Sequence, residues 1–201
     1  MARQEEIVQV VVEALTVEIE ASGRHVHLTQ AAVERLFGPG EKLTPVKDLS
    51  QPGQYACAQR VDVVGPKGTL KNVAVLGPER KECQVEVSAT DAVALGLHPP
   101  VRQSGDTKGS CPVTLRVGEN TLDLEAGLII AQRHVHMTPA DARRFGVSDG
   151  QKVGLKCLTG RPAVLEDTVV RVSDKFATYI HLDYDEANAV GWRKGDRARL
   201  V

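Results

Sequence analysis

Apolar and polar residues alternate in short runs along most of the chain, with the period of two that turns one side of a strand into a core. These runs, rich in valine and leucine, cover residues 61–64, 69–76, 113–117, 120–130, 152–158, 163–172 and 197–200. Gly-Pro, Pro-Lys-Gly and Gly-Glu-Asn punctuate them as turns. Helical spacing is confined to short stretches. QAAVERLFG from Gln30 and PADARRFG from Pro139 each read as two helical turns, closed by Gly38 and Gly146. Thr138 suits the N-cap before Pro139, with Asp141 where a capping-box acid reaches back. Residues 3–20 place Ile7, Val11, Leu15 and Ile19 on one stripe and predict an amphipathic helix. The fold class is therefore mainly β (α+β), with few and short helices.

The chain also repeats itself. Arg24-His25-Val26-His27-Leu28-Thr29 recurs as Arg133-His134-Val135-His136-Met137-Thr138, displaced by 109 residues. A second pair of related segments follows, QVEVSATDAVALGL (84–97) and YIHLDYDEANAVGW (179–192), each a short strand, a helix and a glycine. Ser88 with Asp91 and Asp183 with Glu186 share the spacing of a capped helix start, which sets Glu86 opposite His181. The organisation expected is an N-terminal helix over 1–21, a first β-rich half over 22–104 and a second over 105–201. The boundary falls in HPPVRQSGDTKGSCP, where no period is visible.

Composition narrows the possibilities. Lysine plus arginine number 25 against 26 for aspartate plus glutamate, so no basic field favours nucleic acid. No apolar run approaches the ~20 residues that span a bilayer. The four cysteines, Cys57, Cys83, Cys111 and Cys157, form no CxxC pair and read as reduced thiols of a cytoplasmic protein.

On a strand, residues i and i+2 point to one side, so His25 with His27, and His134 with His136, each present two imidazoles to one point while the valine between faces a core. Neutral imidazole is the commonest protein ligand for zinc, and two such pairs suggest two metals. Five of the six histidines fall at repeated or aligned positions; His98, in a Pro-rich segment, reads as structural. The ligand set expected is His25, His27, Glu86, His134, His136 and His181, with Glu86 partly neutralising the ions. Arg24, Arg80 and Arg133 are candidates to clamp an oxyanion. Spacing alone does not choose between activating a carbonyl, a phosphoryl group, a thiolate or a water.

Through SGRHVHLT, VLGPERKECQVEVS, PPVRQSGDTKGS and GLIIAQRHVHMTP, from about residue 22 to 201, the sequence resembles the PduL-type phosphate propanoyltransferases, metal-dependent phosphotransacylases of bacterial microcompartments. The resemblance implies two β-barrel domains capped by short helices, and two divalent metal ions, zinc in most members, held by the six residues named. It implies a phosphate contact from Arg80, with Ser104 close by. It also implies coenzyme A, phosphate and acyl phosphate as binding partners, direct acyl transfer without a protein nucleophile, propanoyl or acetyl as the acyl group, and a place in a microcompartment lumen. No sequence feature demands a homodimer. Two other readings keep the same ligands: a two-metal hydrolase of thioesters or phosphates, and a non-catalytic microcompartment protein with a structural metal.

Overall fold

The computed structural model describes residues 2–201, and the chain divides into two compact units. The central unit, Gly23–Gln132, is one continuous segment; the terminal unit joins the residues up to Ser22 with Arg133–Val201.

The central unit holds β2 (His25–His27), α2 (Gln30–Phe37), β3 (Pro45–Asp48), β4 (Tyr55–Val64), β5 (Thr69–Gly77), β6 (Gln84–Val87), α3 (Ala89–Leu95), β7 (Val101–Arg102), β8 (Cys111–Val117) and β9 (Asn120–Ala131). Six of its strands pair in the ring β4-β5-β2-β6-β9-β8, which β8 closes by pairing with both β4 and β9; β3 and β7 are additions to the rim. The terminal unit holds α1 (Ala2–Leu15), β1 (Val17–Ser22), β10 (His134–Met137), α4 (Pro139–Phe145), β11 (Lys152–Leu158), β12 (Val164–Val172), β13 (Tyr179–Asp183), α5 (Tyr184–Ala189) and β14 (Arg197–Leu200). Its six strands close a barrel in the order β1-β13-β10-β12-β11-β14.

The two rings have the same plan. The strand carrying the repeated His-Val-His lies parallel to the second strand of a hairpin and antiparallel to the strand before a capped helix, as β2 does with β5 and β6, and β10 with β12 and β13. Register agrees residue by residue: His25 faces Glu86, and His134 faces His181. Even a backbone irregularity repeats. Asn72 in β5 and Asp167 in β12, each with φ 57°, occupy the same position of the two hairpins.

One strand of each ring comes from the other repeat. β1 directly precedes β2 in the chain, yet it lies in the terminal barrel, parallel to β13 with Ile19 opposite Ile180. β9 directly precedes β10 but completes the central barrel, parallel to β6 with Leu128 opposite Val85. This exchange explains why the compact units part at Ser22/Gly23 and Gln132/Arg133 rather than near residue 104, the boundary expected from the loss of period.

The N-terminal element also differs from expectation. Helix α1 stops at Leu15, and Val17–Ser22 is the strand β1. Ile19 is fully buried in the terminal core, whereas Ile7, Val11 and Leu15 are exposed. The VEIE alternation has the strand period, and the pairing with β13 and β14 satisfies its backbone, so tertiary context decides against the helical stripe. Among the described residues no helix is long and apolar enough to cross a membrane.

Each barrel encloses its own apolar core. Val26, Val63, Val75, Val85, Leu115 and Leu128 fill the central one; Val17, Ile19, Val135, Leu155, Val170 and Ile180 fill the terminal one. Full burial of each such side chain contributes about 1.5–3 kcal/mol. The short helices are fixed by their ends. Ser88–Asp91 and Asp183–Glu186 form complete capping boxes. Thr138 caps α4, but Asp141 is used otherwise: its Oδ2 accepts from the Thr138 and Thr178 hydroxyls at 3.0 and 2.5 Å, and the Thr138 N–H goes to Thr178 Oγ1. At the β4–β5 turn Gly65 lies so close to α3 that a Cβ there would stand 2.3 Å from the Leu95 carbonyl oxygen.

The first repeat is longer at two places. Between α2 and β4 it adds the stretch with β3, and between α3 and β8 it adds residues 98–110 with β7, where the terminal unit needs only the short turn from α5 to β14. The second addition, where the boundary between the halves was expected, folds back onto the central unit. Thr107 donates to Glu82, the Gly105 N–H donates to Gln84, and Ser110 accepts from the Gly127 N–H.

Candidate metal centres and their surroundings

In the central unit Val26 enters the core, and the strand alternation turns His25 and His27 to the opposite side. Their Nδ1 atoms lie against backbone carbonyls, His25 against Gly23 at 2.9 Å and His27 against Leu76 at 3.2 Å. Carbonyls only accept, so both rings carry a proton on Nδ1 and turn Nε2 toward the site. Glu86 brings a carboxylate oxygen to 3.5 Å from His25 Nε2. The three residues are buried, and their ligand atoms lie within 4.8 Å of one another. Burial disfavours the imidazolium at His27, and the neighbouring His25 and Arg80 add to this, pushing its pKa down to about 2. Burial also opposes the charge on Glu86, but His25, then His27 and Ser104, hold the carboxyl below the usual range. For His25 burial is outweighed by Glu86, and the pKa is raised. One anionic carboxylate beside oriented imidazoles is a donor set that fits a divalent transition metal.

The terminal unit assembles His134, His136 and His181, whose ligand atoms also lie within 4.8 Å of one another. Ring centroids are 4.6 Å apart for His134–His136, 5.0 Å for His134–His181 and 4.9 Å for His136–His181. Phe176 packs on the His136 ring at 4.1 Å, and Glu20 Oε2 stands 3.8 Å from His181 Nδ1. Three imidazoles converging with a carboxylate behind one of them also fit a divalent ion. The two triads differ by one charge, since Glu86 takes the place that His181 has in the repeat.

The other sequence candidates separate. Arg24 pairs with Asp91 at 3.1 Å and Arg133 with Glu186 at 2.5 Å. In both repeats the arginine before the histidines is thus held by the capping acid of the helix that follows the neighbouring strand, Asp91 of α3 and Glu186 of α5, a structural ion pair rather than an oxyanion clamp. Arg80 differs: its Nη1 donates to Ser104 Oγ at 3.1 Å, and it stands close enough to His25 and His27 to depress their protonation. His98 is exposed and belongs to neither triad. All four cysteines are free, and Cys57 and Cys157 are buried in the barrel cores.

One polar residue beside the central triad was not singled out from the sequence. Gln84, 2% exposed, lies opposite His27 and donates to Glu86 Oε1 at 2.5 Å and to Ser104 Oγ at 2.9 Å. Its signal was present as the i−2 position to Glu86, the same face of the same strand.

A model of the phosphate propanoyltransferase family matches residues 18–193. The chain belongs to the phosphate propanoyltransferase family. It is 51% identical over 197 residues to a phosphate propanoyltransferase of Clostridioides difficile (strain 630), covering 98% of this chain and 94% of that protein. It is 55% identical over 186 residues to one from Enterococcus faecalis (92% and 88%), and 46% identical over 202 residues to one from Thermotoga maritima (100% and 96%). Phosphate propanoyltransferases are acyltransferases, and this chain is one of that enzyme class. The span matched by the phosphate propanoyltransferase family takes in both histidine triads, Arg80, Gln84 and Ser104, and leaves out helix α1.

Proposed function

We propose that the chain interconverts propanoyl-CoA and phosphate with propanoyl phosphate and coenzyme A, with acetyl as a second acyl group, and that each triad holds one divalent metal ion, zinc being the first choice. His25, His27 and Glu86 would hold one ion, and His134, His136 and His181 the other. The observation that carries the reading is the matched register of the two triads, with Arg80 and Ser104 hydrogen-bonded to each other beside the anionic one. Family membership supplies the reaction class.

Bound to such ligands, a divalent ion supplies Lewis acidity, which favours a thiolate and stabilises developing oxyanion charge. The chain's own groups do the rest. The Arg80 guanidinium offers a planar fork of donors that suits two oxygens of a phosphate, and Ser104 adds a hydroxyl. Holding phosphate there orients one oxygen toward the thioester carbonyl carbon, a positioning effect worth several kcal/mol of barrier. A C–O bond forms, the C–S bond breaks, and the sulfur leaves with its electron pair to be released as coenzyme A. Glu86 stays ionised and His27 stays neutral, so these two ligands are ready without proton transfer.

The test is free-thiol release from propanoyl-CoA by zinc-loaded protein, with and without phosphate, before and after chelation. Release that requires both phosphate and metal is the expected result. Release independent of phosphate would identify a thioester hydrolase, and no release with propanoyl- or acetyl-CoA would point to a different acyl group or to a structural metal protein.

A further inference from the structure

From the hydrogen bonds around Gln84 we infer that this buried amide is a positioning residue, which sets the metal-facing oxygen of Glu86 and locks the 103–110 loop, with Ser104, onto the central triad. The inference rests on the ligand role proposed for Glu86.

The orientation of the amide follows from its partners. The Gly105 N–H, 2.7 Å from Gln84 Oε1, can only donate, so the amide oxygen faces the loop. The ionised Glu86 can only accept, so the amide nitrogen faces Oε1 of that carboxylate at 2.5 Å. Nε2 has a second hydrogen, and it goes to Ser104 Oγ at 2.9 Å. Every polar group of Gln84 is therefore used, and no flipped amide satisfies the same partners. With Oε1 occupied, Glu86 presents Oε2, the oxygen on the His25 Nε2 side, to an ion.

Ser104 is fixed in turn. Its oxygen accepts from Gln84 Nε2 and from Arg80 Nη1 at 3.1 Å, so its own proton is given away, to Glu86 or to an oxyanion held by Arg80. A single amide thus links a metal ligand to the phosphate-facing pair. The loop it secures lies within an addition found only in the first repeat, and the terminal unit has Tyr179 at the matching position opposite His136. A barrel that needed only a filled position has no use for three directed hydrogen bonds in a pocket this buried.

The experiment compares wild type with Gln84→Met, which keeps the length and removes the donors, and Gln84→Glu, which keeps the acceptor for Gly105 but sets a second carboxylate against Glu86. Apo protein is titrated with zinc in competition with a chromophoric chelator, and phosphate KM is measured on the zinc-loaded protein; circular dichroism melts establish folding. The expected result is two zinc ions in wild type, with one of the two affinities lowered about 10–100-fold in either variant and the other unchanged. The KM for phosphate rises with little change in the KM for propanoyl-CoA. Should Gln84→Met fail to fold, Gln84→Glu carries the test alone. Folded variants with wild-type zinc affinities and phosphate KM overturn the inference and leave the metal reading intact. Wild type that binds no zinc, or a Glu86→Gln protein that binds both ions with unchanged affinity, overturns the ligand role of Glu86 and the inference with it.

Discussion

At the scale of single residues, what matters about the two triads is how little freedom the histidines keep. His25 and His27 each commit Nδ1 to a backbone carbonyl, and strand register fixes where the rings start. Replacing His136 with alanine removes one of three converging imidazoles, and the expected outcome is loss of one zinc equivalent with an activity drop of at least about 10–100-fold. Metal analysis beside the thiol-release rate checks it; full occupancy with full rate would remove His136 from the ligand set. Arg133 makes a different claim. Burial raises the pKa of Glu186 even with Arg133 bonded to it. Arg133→Gln therefore leaves a buried carboxylate short of its cation at neutral pH and should cost about 1.5–3 kcal/mol of stability. A carboxyl whose folded pKa is raised loses stability as pH rises through that pKa, and the loss is larger in the variant. The stability gap to wild type should thus narrow as pH falls toward the carboxyl range, read from urea unfolding at about pH 7.5 and 5. A constant gap would mean that Arg133 acts through packing alone.

At the scale of elements, the sequence was read well where local chemistry decides and badly where distant partners do. Strands at 69–77, 152–158 and 197–200 declared themselves through valine-rich alternation, and the capped starts at Ser88 and Asp183 through side chains that reach only three residues along. The alignment that set Glu86 opposite His181 holds in the pairing of both with the repeated histidines. Residues 17–22 were misread because one helical stripe fits Ile7, Val11, Leu15 and Ile19 as well as a strand fits Val17 and Ile19; only the neighbours β13 and β14 break the tie. The 98–110 stretch has no period because its order comes from bonds to Glu82, Gln84 and Gly127. The assignment of β1 is testable. Ile19→Ala should destabilise the protein by about 2–5 kcal/mol, as expected of a fully buried side chain, while Leu15→Ala, 59% exposed, should stay within about 0.5 kcal/mol. Equal small effects in thermal or urea unfolding would return Ile19 to the surface of a helix.

At the scale of the whole molecule, strand exchange decides which pieces of the chain are units. Every strand of the central ring lies within Gly23–Gln132. A fragment of residues 23–132 should therefore unfold cooperatively in urea. A fragment of 105–201, cut at the aperiodic stretch, lacks β1 and separates β8 from β4 and β9 from β6, and it should show no transition. A cooperative 105–201 fragment would mean that the exchanged strands are dispensable.

The same exchange has a consequence in time. Synthesis produces β1 before all of the central barrel, and only afterwards β13 and β14, the two strands on either side of β1. The central barrel can close while the ribosome is still working, but Val17 and Ile19 must wait uncovered until the far end of the chain arrives. A strand made before the central barrel is thus among the last to become native, and for that interval it is an open edge that the growing protein must keep from pairing elsewhere.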